Sequence, residues 1–288
     1  MGLSGMKKRT EEKMIKDRFA RDPAKLPKSL RKNFDIRETE QTGRKVWKIA
    51  PKGYKSEAVI LYLHGGAYMG NILRLHWDLI YELVKKTGAT IVVPDYPLAP
   101  DATYREAYDF VGDLYAGLIT DYPAERIVFM GDSAGGGLAM GFAQHLRNEK
   151  KRLPDQLIVF SPWFDVSMTD ARISLIDKED KLLSIKGLKS AGQKYSGDLD
   201  PKDYRVSPLY GSFTGLCRLS IFTGTNDILN ADAQKCRQLM RDQQISFNYF
   251  GYPKMFHDWV LITRLKESRD VVDKVYKLLT ENPVNPET

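Results

Sequence analysis

The chain has 288 residues, of which 42% are hydrophobic, so it can bury a sizeable core and we expect one domain over residues 1–288. Its formal net charge of +7 lies within residues 1–37, where twelve Lys and Arg accompany five Asp and Glu, and the remainder is neutral. Acidic residues interleave in this basic arm and no aromatic series accompanies it, which favours a solvated amphipathic helix and argues against a nucleic-acid-binding protein.

The first residues do not read as a targeting signal. The bases at residues 7–9 are followed by polar residues instead of an apolar core, which excludes an ordinary signal peptide. Met6 occupies the position where an N-myristoylation signal has Ser or Thr. No apolar run approaches the roughly 18–20 residues that span a bilayer. Cys217 and Cys236 form no metal-binding or disulfide pattern, so we expect a cytoplasmic protein without a membrane span.

The predicted elements begin with a helix over Thr10–Asp22, for which Thr10 is the candidate cap. Prolines then interrupt the chain. Two alternating segments, Phe34–Glu40 and Lys45–Ala50, predict a pair of strands joined by a turn at residues 41–43.

After this strand pair, short apolar runs alternate with helical stretches. The predicted strands are Ala58–Leu63, Ala89–Val93, Arg126–Met130, Gln156–Phe160, Arg218–Phe222 and Ile245–Tyr252. The predicted helices are Leu75–Lys86, Tyr104–Thr120, Ala134–Glu149, Ala231–Asp242 and Leu261–Leu279. Nearly continuous apolar strands are typical of strands buried on both faces. The alternation therefore predicts an α/β fold, with a mostly parallel sheet and helices on both faces.

Residues 165–215 break this alternation. The segment is polar and rich in Lys and Asp, and its best helical candidate is Ser184–Tyr195. An excursion of this length inside a compact fold usually serves function, so we expect a lid or cap over a site.

A Gly-x-Ser-x-Gly pattern stands at residues 131–135 (GDSAG). It directly follows the predicted strand Arg126–Met130 and directly precedes a helix rich in small residues. This is the setting of a nucleophile elbow, a sharp turn that exposes a serine at the end of a strand. The positive end of the following helix also favours negative charge on an attacked acyl group. Ser133 is therefore the candidate nucleophile.

A second glycine-rich segment, residues 64–68 (HGGAY), follows the predicted strand Ala58–Leu63. Glycines allow a backbone to approach a ligand closely, and ester hydrolysis needs fixed N–H donors for its oxyanion. Gly65 and Gly66, together with the N–H of Ala134, are the predicted donors of an oxyanion hole. We expect His64 to brace this loop by hydrogen bonding.

A serine nucleophile needs a general base among the four histidines of the chain. His145 lies roughly 18 Å along the helix that begins near Ser133, at 1.5 Å per residue. His76 is predicted to head a surface helix, and it precedes the nucleophile. His257 lies just past the last predicted strand and is the candidate base.

The base in turn needs an orienting carboxylate. Asp227 follows the predicted strand Arg218–Phe222, and the order serine, acid, histidine along the chain is that of nucleophile-elbow hydrolases. Asp165, after the strand Gln156–Phe160, is its main rival. Asp232 is weaker because it should lie a turn into the next helix.

These motifs resemble the hormone-sensitive-lipase-like branch of the α/β-hydrolases. Four stretches carry the resemblance: residues 64–68 (HGGAY), 95–100 (DYPLAP), 131–136 (GDSAGG) and 161–163 (SPW), with weaker similarity at 207–209 (SPL) and 224–227 (GTND). The sequence departs from the pattern at three positions. Ala67 stands where a third Gly is common, Pro97 where Arg is frequent, and Asp101 where Glu often follows.

The resemblance implies an α/β-hydrolase fold with a mostly parallel, eight-stranded sheet and a helical cap built from residues 1–33 and 165–215. It implies a carboxylic ester hydrolase for short-to-medium acyl chains that uses neither a cofactor nor a metal. The residues it assigns to the triad and the oxyanion hole are Ser133, Asp227, His257, Gly65, Gly66 and Ala134.

Other functions stay open on the sequence alone. A non-catalytic small-molecule receptor on the same scaffold is one, although a complete set of triad residues argues against it. An amidase, peptidase or carbohydrate deacetylase could use the same triad. Tyr68 and Trp163 are candidate pocket residues, with ordinary core packing as the alternative. The expected partner is a small-molecule ester, and a homodimer stays open.

Overall fold

We describe residues 22–281 from a computed structural model of the chain. Apart from Asp22, the predicted helix Thr10–Asp22 lies outside the described residues, and so does most of the cap segment predicted for residues 1–33. Within the described part, no helix is both long enough and apolar enough to cross a bilayer.

Eight strands form one sheet. They are β1 Phe34–Gln41, β2 Arg44–Pro51, β3 Val59–Leu63, β4 Thr90–Pro94, β5 Ile127–Asp132, β6 Gln156–Phe160, β7 Arg218–Gly224 and β8 Asn248–Tyr252. Their order across the sheet is β1-β2-β4-β3-β5-β6-β7-β8. β2 pairs antiparallel with β1 and β4, and the neighbours from β4 to β8 are parallel. The predicted mostly parallel sheet is therefore confirmed.

The α-helices of the described residues are α1 Lys28–Asn33, α2 Arg74–Thr87, α3 Tyr104–Asp121, α4 Ser133–Asn148, α5 Arg172–Ile176, α6 Ile185–Ser196, α7 Asn230–Asp242 and α8 Lys266–Thr280. Two elements begin three or more residues later than their sequence patterns predict. β8 starts at Asn248, and α8 starts at Lys266 because a 3₁₀ turn at Trp259–Leu261 comes first. The short helix α5 has no counterpart among the predicted elements.

The sheet has an apolar layer on each face. Along β3, Val59, Leu61 and Leu63 belong to one buried cluster, which includes side chains of α3, α4 and α7. Ile60 and Tyr62 belong to a second cluster, with side chains of α2 and α8. Successive side chains of a strand point to opposite faces, so the two clusters cover opposite sides of the sheet. This explains why the central strands are buried throughout.

The topology determines where chemistry can occur. In an open α/β sheet, ligands bind beyond the carboxyl ends of the parallel strands, where the connecting loops meet. The loops that follow β3, β5, β7 and β8 carry the oxyanion segment at residues 64–68 and the three candidate triad residues. Four separate stretches of sequence are thus directed to one edge.

Candidate active site

Ser133, Asp227 and His257 meet at the carboxyl ends of β5, β7 and β8. Ser133 Oγ lies 2.9 Å from His257 Nε2, and Asp227 Oδ2 lies 2.9 Å from His257 Nδ1. The other oxygen of Asp227 accepts a hydrogen bond from the Leu229 N–H at 2.9 Å. Only 4% of Ser133 and 8% of His257 are exposed, and Asp227 is buried. A carboxylate, an imidazole and a hydroxyl linked in this order can generate a serine nucleophile.

The turn around Ser133 depends on small neighbours. Ser133 has a φ of 50°, in the left-handed region that non-glycine residues rarely adopt. A Cβ on Gly135 would collide with the Leu63 carbonyl, and a Cβ on Gly131 would lie 2.6 Å from the same carbonyl oxygen. The two glycines are therefore required where the turn passes the end of β3.

Three successive peptide groups of the oxyanion segment are fixed by hydrogen bonds. The Tyr96 hydroxyl donates to the His64 carbonyl at 2.6 Å, and the Gly65 N–H of the same peptide donates to Asp132 Oδ2 at 3.0 Å. The Gly65 N–H is thus already bonded to a carboxylate. This argues against the predicted role of Gly65 as an oxyanion donor, because its N–H already has a carboxylate partner.

In the next two peptide groups the carbonyl accepts a hydrogen bond, and the N–H is not the bonded group. His64 Nδ1 bonds the Gly65 carbonyl at 2.7 Å, and the Gly70 N–H donates to the Gly66 carbonyl at 2.7 Å. In a trans peptide the N–H points opposite to the C=O. The N–H groups of Gly66 and Ala67 therefore point away from these partners. Ala67 reaches this conformation with a φ of 54°.

Asp132 is the residue that connects the two motifs. Besides the Gly65 N–H, its carboxylate accepts the Tyr62 hydroxyl at 2.6 Å and lies 3.2 Å from His76 Nε2. Burial alone would raise the pKa of Asp132, but His76 and Tyr62 outweigh it and lower the pKa. Burial likewise opposes charge on His76, and Asp132 outweighs it and raises the pKa of His76. Because His76 Nδ1 accepts the Leu73 N–H at 2.8 Å, the ring proton lies on Nε2 and is donated to Asp132, so the two side chains form a buried hydrogen-bonded pair.

His76 differs from its prediction as a surface residue, because only 2% of it is exposed. The apolar face of α2 turns toward the sheet and carries His76 with it. One signal of this network is visible in the sequence, the acidic residue inside the 131–135 motif. Its partners come from β3 and α2, and no pattern in the sequence connects those elements to it.

His64 braces the loop as the sequence predicted. Its ring stacks on Tyr96 with centroids 4.5 Å apart. Burial lowers the pKa of His64 to about 3, so the imidazole is neutral and its Nδ1–H donates to the Gly65 carbonyl. The ring nitrogen beside Ser133 Oγ belongs to His257, so His64 serves the loop and His257 remains the candidate base.

The other carboxylates considered from the sequence have a different task. Asp165 accepts hydrogen bonds from Ser167 and Tyr210, and its backbone N–H donates to Asp232 Oδ2 at 3.2 Å. Asp165 and Asp232 therefore hold the start of the insertion after β6, residues 165–215, against α7. Asp227 instead bonds His257. Within residues 22–281, no group of three or more His, Cys, Asp and Glu is arranged to hold a metal ion.

Tyr68 and Trp163 lie in an aromatic stack. The rings of Tyr68 and Trp163 have centroids 5.4 Å apart, and Tyr68 also stacks on Tyr195 of α6 at 3.6 Å with an interplanar angle of 4°. All three side chains are buried. The stack joins the oxyanion segment to the insertion, because Tyr68 belongs to the first and Tyr195 to the second.

Comparisons with known proteins identify the family of this chain. A family profile described as alpha/beta hydrolase fold matches residues 60–261. An esterase from Acinetobacter venetianus is 31% identical over 203 residues, which are 70% of this chain and 67% of that protein. An acetyl-hydrolase from Streptomyces hygroscopicus is 30% identical over 201 residues, which are 69% of this chain and 67% of that protein.

Solved structures show the same architecture. The crystal structure of an esterase from the bacterial hormone-sensitive lipase family matches with a TM-score of 0.81 and 24% sequence identity. The match covers 97% of this chain and 98% of that one. At this level of identity the structural match shows the fold alone.

Proposed function

The chain belongs to the α/β-hydrolase family, in its hormone-sensitive-lipase-like branch, and we propose that it hydrolyses carboxylic esters through an acyl-enzyme on Ser133. The observation that carries this proposal is the hydrogen-bonded series Asp227, His257 and Ser133 at the carboxyl edge of the sheet. The esterase and the acetyl-hydrolase among its relatives support an ester substrate.

In the proposed reaction, Ser133 Oγ attacks the ester carbonyl carbon while His257 Nε2 takes the hydroxyl proton. Asp227 keeps the imidazole oriented and stabilises its positive charge. The tetrahedral intermediate then collapses, the bond to the alcohol oxygen breaks, and His257 gives its proton to the departing alcohol. A water molecule, deprotonated by His257, repeats the attack on the acyl-enzyme and releases the acid and free Ser133.

We propose that the oxyanion is bound by the N–H groups of Gly66, Ala67 and Ala134. Gly66 and Ala134 come from the sequence prediction, and Ala67 replaces Gly65, whose N–H bonds Asp132. The Ala134 N–H lies in the first turn of α4, where backbone donors have no partner within the helix. The helix N-terminus adds a favourable potential for the negative oxygen.

We propose that residues 165–215 act as a cap and favour acyl chains of short-to-medium length. The stack of Tyr68, Trp163 and Tyr195 supports this, because it fills space between the oxyanion segment and α6 with buried rings. An acetyl-hydrolase among the relatives agrees with a short acyl group.

The test is hydrolysis of p-nitrophenyl esters with acyl chains from about two to twelve carbons, because contacts in the pocket decide which chain length is preferred. Wild type should turn over the short members, and Ser133→Ala should fall by several orders of magnitude, because the nucleophile is lost. Ser56→Ala, which alters a serine just before the amino end of β3, at the edge of the sheet opposite the site, should match wild type. Wild type no faster than Ser133→Ala would contradict the proposal.

A further inference from the structure

His257 has a carboxylate at each ring nitrogen. Asp227 bonds Nδ1, and Asp258, the next residue in the chain, places Oδ2 at 3.0 Å from Nε2. Ser133 Oγ lies 2.9 Å from the same Nε2 atom. The Ser133 hydroxyl must give up its proton to Nε2, and the Asp258 carboxylate lies beside the same atom. The two groups therefore compete for one nitrogen of His257.

The two protonation states of His257 respond differently to Asp258. When the imidazole is neutral with its proton on Nδ1, Nε2 carries a lone pair, and a carboxylate oxygen beside it is repelled. When Nε2 is also protonated, the same oxygen meets a positive charge and is attracted. Asp258 therefore favours the imidazolium, the form that cannot accept the proton of Ser133.

The carboxylate of Asp258 is held near this nitrogen by its backbone. Its N–H donates to Ser161 Oγ at 3.1 Å, and its φ of 52° lies in the left-handed region. Its Oδ1 atom is buried and has no hydrogen-bond partner among residues 22–281. No other donor within that range takes up the charge, so its effect falls mainly on His257.

The groups that face this pair come from four elements. They are Asp227 after β7, Asp132 at the end of β5, Tyr62 on β3 and His76 on α2. Asp132 is already hydrogen-bonded to Tyr62, His76 and the Gly65 N–H, which leaves Asp227 and Asp258 against His257. Burial would lower the pKa of His257, but Asp227 and then Asp258 outweigh it and raise the pKa well above its ordinary value. Burial raises the pKa of Asp258, and His257 opposes that rise.

We propose that Asp258 is a positioning residue that holds His257 protonated at rest, so that hydrolysis begins only at a more alkaline pH. The proposal rests on the proposed role of His257 as the general base. Asp258 acts through His257 and does not touch the reacting carbonyl. The pH at which activity appears is then a property of this pair, and not of the triad alone.

The direct test is the pH profile of kcat/KM for p-nitrophenyl butyrate with wild type and Asp258→Asn. Asn keeps the shape of the side chain and tolerates the left-handed backbone, so the variant removes little besides the charge. We expect the midpoint of the acidic limb to fall by roughly one to three pH units, the usual effect of one opposite charge at this distance. On that limb the rate at fixed pH rises about tenfold per unit. An unchanged midpoint would overturn the proposal.

The matched control is Asp273→Asn on α8, which removes the same charge from an exposed ion pair with Lys86. Its acidic limb should coincide with that of wild type. A shift as large as that of Asp258→Asn would mean that net charge, and not the contact with Nε2, moves the midpoint.

A titration of wild type tests the same inference without turnover and without a variant of Asp258. The chain has four histidines, so the imidazole nitrogen resonances of ¹⁵N-labelled protein can be assigned with His257→Gln as reference. His257 should stay doubly protonated at neutral pH, and a neutral ring there would overturn the proposal. Because this readout needs no substrate, failure of ester hydrolysis and failure of the Asp258 inference are distinguishable.

Discussion

Asp132 occupies the variable position between Gly131 and Ser133, yet its carboxylate serves the loop on the neighbouring strand. It accepts hydrogen bonds from the Gly65 N–H, the Tyr62 hydroxyl and the buried His76 ring. The nucleophile and the loop that we propose for the oxyanion are thereby held in one arrangement. A residue beside the serine can thus influence catalysis without contacting substrate.

Asp132→Asn should lower the free energy of unfolding by about 1–3 kcal/mol, the usual cost of leaving buried hydrogen-bonding partners unsatisfied. The pKa of His76 is raised in the folded protein, so this group stabilises the fold at a pH below about 6.5, its pKa in the unfolded chain. That contribution is lost as pH rises through the pKa of the folded state. The pKa of Asp132 is lowered in the folded protein, so this group stabilises the fold above about pH 4, its pKa in the unfolded chain. That contribution is lost as pH falls through the pKa of the folded state. The loss should therefore be largest between about pH 4 and 6.5, as measured by urea unfolding.

Asp78→Asn is the control for this prediction. It removes one partner of the exposed Arg74–Asp78 pair on α2 and should cost less than about 1 kcal/mol at any of these pH values. Equal losses for the two variants would show that the Asp132–His76 contact has no special energetic role.

At the scale of elements, the packing of α4 depends on its glycines. The first turns of α4 lie against the Trp163 backbone and the Tyr68 side chain, and they leave no room there for a side chain at Gly137. A Cβ on Gly137 would collide with the Trp163 carbonyl and lie 2.6 Å from the Tyr68 hydroxyl. The close approach lets the helix that carries Ser133 contact both the oxyanion segment and the start of the insertion.

Gly137→Ala should therefore destabilise the protein by about 1–3 kcal/mol through overpacking, in spite of the better helix propensity of Ala. Gly117→Ala on α3 is the matched control, because nothing lies within 4 Å of its added Cβ. That substitution should stabilise the protein by about 0.5–1 kcal/mol. Denaturant unfolding of the two variants tests the pair, and a neutral Gly137→Ala would contradict the packing described here.

The parallel strands and the main helices could be predicted from sequence because their signals are local. Apolar runs such as Val59–Leu63 fall between glycine- and proline-rich turns, and the 131–135 motif fixes the start of α4 to within a residue. The late start of α8 could not be predicted, because the apolar residues Trp259–Leu261 continue the helical pattern while packing as a 3₁₀ turn. The roles of Gly65, His76 and Asp258 could not be predicted either. They depend on contacts between groups that are far apart in the sequence, or on side-chain directions that the spacing of residues does not reveal.

At the scale of the whole molecule, the insertion after β6 is connected to the catalytic loops at two places. Tyr195 stacks on Tyr68 of the oxyanion segment. Asp180, which is buried in the insertion, accepts the Ile228 N–H at 3.0 Å, one residue after the candidate acid Asp227. The proposed cap therefore supports the site from two sides, so changes in the insertion should affect turnover as well as substrate choice.

The central claim is that Ser133 is the nucleophile activated by His257, and covalent labelling of the full chain tests it most directly. A fluorophosphonate should add once, and peptide mass spectrometry should place the adduct on Ser133. Ser133→Ala should remain unlabelled, and His257→Gln should label far more slowly because the general base is missing. An adduct on another residue, or unchanged labelling of Ser133→Ala, would contradict the account.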